Sequence, residues 1–109
     1  MRKQKHRDIP YPAHWSKKFQ MKWYSYVARS VEKNKEFTLS DDLFEYLFTQ
    51  KCVYCGGDDT ITIDRLDSDK GYTPLNVQPV CNMCNRMKLT QTEEEFKDKI
   101  LQIIKFRSW

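Results

Sequence analysis

Two Cys-x-x-Cys pairs constrain this chain more than anything else in it: Cys52 with Cys55, and Cys81 with Cys84. They contain all four of its cysteines and are separated by 25 residues. Each pair presents two sulfurs from one tight turn, and two such turns suit the tetrahedral thiolate coordination that Zn²⁺ prefers. The separation is somewhat longer than in a simple zinc ribbon because a hairpin has to fit between the turns. Four reduced cysteines buried in a core would be the competing reading, and the paired spacing argues against it. The set contains no histidine and leaves no position for water, so the expected zinc is structural.

A chain of 109 residues is expected to form one domain whose apolar core alone would leave it marginal. A structural metal would add stability. There is no signal-peptide pattern and no apolar run of membrane-spanning length, so a soluble protein with no membrane contact is expected. The expected location is cytoplasmic. In such a reducing compartment the cysteine pairs read as metal ligands rather than disulfides.

Charge is distributed unevenly. Residues 1–36 hold ten Lys or Arg against Asp8, Glu32 and Glu36, a local net of +7 in a chain whose total is +4. A basic third joined to a more acidic remainder fits either a solvated face or a polyanionic partner. Residues 1–15, with Pro10 and Pro12, read as an extended basic arm. The only histidines, His6 and His14, lie in it and suit a surface or phosphate-contacting role.

Beyond the arm, residues 16–109 read as one domain. Ser16 is placed to cap a helix over 16–32, where Phe19, Trp23, Tyr26, Val27, Ser30 and Val31 share one face. Lys18, Lys22, Arg29 and Lys33 lie mostly off that face. Ser40 caps a second helix over 40–49, with Asp41 and Asp42 in its first turn. Thr92 and Glu95 form a capping box for a last helix over 92–106, expected to brace the cysteine module, with a dimer interface as its other use. Between the cysteine pairs, Thr60 to Asp64 alternates as a half-buried strand does, and Val77 to Val80 resembles the returning strand. A short helix follows from Asn82. Strand, loop, strand and helix pinned by one zinc make a ββα unit.

The run IDRLDSDKGYTPLNVQPVCNMCNRMK resembles the HNH, or ββα-metal, endonucleases, in particular their Cys₄-zinc phage and restriction branch. The resemblance covers residues 52–88 and implies an α+β fold: a small zinc-stabilised ββα-metal core at 52–89 flanked by helices. It also implies a set of roles. Asp64 and Asn85 would ligate a catalytic Mg²⁺ or Mn²⁺, beside the structural zinc of Cys52, Cys55, Cys81 and Cys84. Asn76 would tie the motif's loop, and Arg86 and Lys88 would meet the DNA backbone from the helix.

Many members of the family carry Asp-His where this chain has Asp64-Arg65. Arginine stays protonated and is a poor general base, so Arg65 is expected to clamp the scissile phosphate. Tyr54, inside the first turn, is the candidate base; packing against the zinc module is its other reading, and water ionised by the metal is a third route. The expected function is a metal-dependent DNA endonuclease, nicking or cutting both strands, with Arg29 and Lys33 on the nucleic-acid face and a monomer or homodimer as its state. The rival is an inactive zinc module that binds nucleic acid on the same scaffold.

Overall fold

The structure, a computed structural model, describes residues 11–109. The expectations for His6 and the tip of the basic arm lie outside the described residues. Helix α1 (Lys17–Glu32) starts where Ser16 Oγ accepts the Phe19 amide at 3.2 Å. It buries Trp23, Tyr26, Val27 and Ser30, the i, i+3, i+4, i+7 face that the sequence marks. Helix α2 (Asp41–Leu47) starts the same way, with Ser40 Oγ on the Leu43 amide, and buries Phe44 and Leu47.

These two helices build an aromatic core. Phe44 is its hub, meeting Trp23 edge-on at 4.8 Å, Phe48 at 5.0 Å and Phe19 at 5.4 Å between ring centroids. Edge-to-face pairs of this kind add roughly 0.5–1.5 kcal/mol each beyond the area they bury. Trp15 belongs to the same core. It is buried, packs against Phe19 and Trp23, and donates its indole N–H to Glu45 Oε1 at 3.0 Å. Trp15, counted in the arm expected over 1–15, thus lies in the core, because its ring is buried while its indole N–H keeps a partner in the half-exposed Glu45.

The hairpin follows. Strand β1 (Ile61–Arg65) pairs antiparallel with β2 (Val77–Cys81), with Thr62 opposite Val80 and Asp64 opposite Gln78. Helix α3 (Asn82–Lys88) starts directly on Cys81, whose sulfur accepts the Cys84 amide. Helix α4 (Glu93–Arg107) opens with the expected capping box between Thr92 and Glu95. As a brace it is only partial: Phe96 is its one buried residue, and residues 101–109 are all exposed.

Two contacts set the hairpin against the helical core. The Tyr26 hydroxyl accepts the Ile63 amide at 3.0 Å, so α1 holds the middle of β1. The loop between the strands is fastened by a bridge between Phe37 and Tyr72, with the Tyr72 amide on Glu36 O at 2.8 Å. Gly71 makes that approach possible, since a Cβ there would collide with the Glu36 backbone. Among the described residues, no helix is long and apolar enough to cross a membrane.

Candidate active site and metal centre

The four cysteines converge as their spacing predicts. Their sulfurs all lie within 4.8 Å of one another, and none forms a disulfide. The first turn is closed by the Gly56 amide on Cys52 O and the Cys52 amide on Gly57 O, and Gly56 takes the positive φ of 72° that the turn requires. The Val53 amide then binds Pro79 O at 3.0 Å, fixing the turn to β2. Cys55 and Cys81 sulfurs stand 3.8 Å apart, close to the edge of about 3.8 Å that a tetrahedron with Zn–S near 2.3 Å would have. Burial pushes the Cys52 thiol up, but backbone hydrogen bonds from Cys55, Cys81 and Tyr54 outweigh it and bring it down to about 6. Cys84 moves the other way, raised by burial and by hydrogen bonds with the other sulfurs. Crowded sulfurs cannot all ionise without a cation among them, so this cluster fits a zinc ion.

The second constellation arises from a match of periods. Residues two apart on a strand share a face, as do residues three apart on a helix. Thr62 and Asp64 of β1 accordingly meet Asn85 and Lys88 of α3. Asn85 Nδ2 donates to Thr62 Oγ1 at 2.7 Å, and that hydroxyl donates on to Val80 O at 2.8 Å. The amide is thereby fixed, with Oδ1 left available. Asp64 is buried, and the Gln78 Nε2 opposite it donates to Oδ2 at 3.0 Å.

Asp64 and Asn85 line one cavity of about 150 Å³ together with Arg65, Arg29 and Lys33. Arg65 folds over its own loop: Nη1 donates to Ser68 O at 3.1 Å and Lys70 O at 2.9 Å, and the guanidinium lies over Tyr72. Asn76 is buried and ties that loop from both ends of its amide, accepting the Asp67 N–H and donating to Asp67 O and Gly71 O. A second groove, of about 330 Å³, is lined by Lys18, Lys22, Arg29 and Thr62 among others, and meets the cavity at Arg29. Lys18, Lys22 and Arg29 of α1 and its C-cap Lys33, all exposed except the half-buried Lys22, thus flank the two depressions between them.

Two expectations need correcting, those for Lys88 and Tyr54. Lys88 does not present its charge to solvent. It is 1% exposed and its ammonium sits 3.2 Å from Asp64 Oδ2, because a carboxylate buried beside it needs a counter-charge. Arg86, by contrast, stays exposed on α3, outside the lining of the cavity. Tyr54 does not line it either. Its ring packs on Phe96 at 5.2 Å, and its hydroxyl reaches Asp64 only through the shared Gln78 amide, 2.9 Å away. Burial raises the Tyr54 phenol, and the nearby Asp64 and Glu93 carboxylates raise it further; only the Gln78 bond works the other way. A general base needs the opposite shift.

Sequence reasoning passed over Gln78, Thr62 and Tyr26. The hairpin register alone would have singled out Gln78, which sits directly across from Asp64. Thr62 shares the face of Asp64. Helical periodicity marks the Tyr26 ring as core, but nothing local marks its hydroxyl, which serves a strand 37 residues away.

With this geometry in place, comparison with known proteins defines the fold. The chain superposes on the rare-cutting HNH restriction endonuclease PacI with a TM-score of 0.62, over 89% of this chain and 87% of PacI, at 22% sequence identity. The fold is thus of the HNH-endonuclease type, with four helices, a two-stranded antiparallel sheet and a four-cysteine cluster that could hold zinc among the described residues. Uncharacterized protein R423 of Acanthamoeba polyphaga mimivirus is 40% identical over 78 residues, a match taking in 69% of this chain. The chain spans only 15% of that relative's length. No family profile matches the chain.

Proposed function

We propose that this chain is a divalent-metal-dependent endonuclease that hydrolyses DNA phosphodiester bonds, leaving a 5′-phosphate and a 3′-hydroxyl. The observation that carries the reading is the single cavity shared by Asp64, Asn85, Arg65, Arg29 and Lys33. A buried carboxylate and an amide oxygen are hard donors suited to Mg²⁺ or Mn²⁺, which keep waters and substrate phosphate as their other ligands. Bound there, such an ion would supply Lewis-acid stabilisation of the leaving 3′ oxygen.

The remaining work falls to the chain's own residues. Gln78 and Lys88 hold the Asp64 carboxylate, and Thr62 holds the Asn85 amide, so both donors are positioned before substrate arrives. Arg65 spends two hydrogen bonds of Nη1 on the loop, and its other N–H groups serve the scissile phosphate, where charge grows in the transition state. Among the described residues no histidine lines the cavity, and Arg65, Arg29 and Lys33 contribute charge rather than a base. Lys18, Lys22, Arg29 and Lys33 track the backbone along α1, a salt-sensitive contact without base readout. The likeness to PacI supports a DNA substrate, and the mimivirus relative suits a setting in the cytoplasm of a phage- or virus-infected cell.

One observation favours the alternative of an inactive nucleic-acid-binding module: the Lys88 ammonium lies against the carboxylate that would take the ion. Supercoiled plasmid incubated with zinc-loaded protein and a panel of Mg²⁺, Mn²⁺ and Ca²⁺ separates the two. Conversion to nicked or linear forms, lost in Asp64→Ala while DNA retardation persists, supports the enzyme. Plasmid that is retarded yet uncut with every ion supports the binder.

A further inference from the structure

Helix α4 carries an apolar stripe that the rest of the domain does not cover. Phe96 is buried and Ile100 half-buried, but Leu101, Ile103 and Ile104 stand 54%, 44% and 41% exposed. The stripe runs on from an apolar groove of about 380 Å³ lined by Tyr54, Cys84, Met87, Phe96, Ile100 and Leu101. Exposing an amphipathic stripe beside an open groove forfeits about 25 cal/mol for each Å² left in water, and a patch of this kind marks an interaction site.

The residues on that face name the occupant. Two rows share that face, Glu93, Phe96, Ile100, Ile103, Arg107 and Glu93, Lys97, Ile100, Ile104, Arg107, each at alternating steps of three and four, the seam spacing of paired helices. The seam is self-complementary when reversed about Ile100. Phe96 then meets the partner's Ile104, and Glu93 meets the partner's Arg107. The acidic first turn, Glu93, Glu94 and Glu95, falls opposite the basic last turn of Lys105 and Arg107. A parallel pair would instead set acid against acid and base against base, a like-charge penalty in every turn that carries charge. The reversed arrangement also lays Ile103 and Ile104 of one copy beside the other's groove, which is what an isologous two-fold contact requires.

We propose that the chain forms a two-fold homodimer through antiparallel α4 helices crossing at Ile100, each filling the groove of the other. This inference stands independently of the nuclease reading. It is tested by sedimentation of the zinc-loaded full chain at about 10 µM, where a contact of micromolar Kd is largely assembled. A species of twice the chain mass is expected. Ile104→Glu should return it to monomer with an unchanged circular-dichroism spectrum, since this side chain lies at the surface. Glu93→Arg and Arg107→Glu should each weaken association by about tenfold or more, and the two together in one chain should restore it. A wild-type chain that stays monomeric at about 100 µM would overturn the proposal. A dimer indifferent to Ile104→Glu would overturn it too, as would a pair of charge reversals that failed to compensate.

Discussion

The Lys88 ammonium lies 3.2 Å from Asp64 Oδ2, and the two side chains are 1% and 5% exposed. An ion pair this deep is held by mutual need, since each charge would be costly to bury alone. It also joins α3 to β1 at the point where the proposed metal donors meet.

Lys88→Met should therefore destabilise the domain by about 3–5 kcal/mol, because it strands the Asp64 carboxylate. Combining Lys88→Met with Asp64→Asn should recover most of that loss. Urea denaturation of the four proteins reads the coupling directly. Additive losses would show that the pair is not linked in the folded state.

Tyr26→Phe removes only an oxygen, yet it leaves the buried Ile63 amide without its partner. A loss of about 1–3 kcal/mol is expected. Hydrogen exchange at the Ile63 amide should quicken in step with the loss, and an unchanged exchange rate would place the hydroxyl elsewhere.

Zinc should be recovered from the purified protein in equal molar amount with the chain. Its removal by a chelator should abolish the cooperative melting transition, because the cluster joins the first turn, β2 and α3. Retention of the near-ultraviolet spectrum after complete chelation would contradict this.

Tyr54→Phe should leave plasmid cleavage within about tenfold of the wild type, whereas losing a general base costs roughly 10²–10⁴-fold. A fall into that larger range would restore the phenol to a chemical role.

The framework was legible in the sequence wherever a local pattern carries it. Ser16, Ser40 and Thr92 cap the helices they precede, and the cysteine spacing fixes the ββα unit between its two turns. The shared face of Asp64 and Asn85 follows from strand and helix periods meeting at the zinc cluster. What could not be read depends on long-range partners. Lys88 looks like a surface lysine until α3 is docked on Asp64, and Trp15 looks like part of a proline-rich arm until Glu45 is found beside it. Tyr54 sits next to the right cysteines, but its ring is claimed by Phe96 on the far side of the module. The last helix carries a clean apolar stripe, and periodicity alone does not say whether the stripe faces the chain's own core or another molecule.

The account rests on Asp64 and Asn85 sharing one divalent ion, and a Mn²⁺ titration of the zinc-loaded protein followed by electron paramagnetic resonance tests this most directly. The predicted result is a single bound Mn²⁺ per chain, lost in both Asp64→Ala and Asn85→Ala while the zinc content stays the same. Mn²⁺ binding that survives both substitutions, or a wild-type protein that binds none in the presence of DNA, would contradict it.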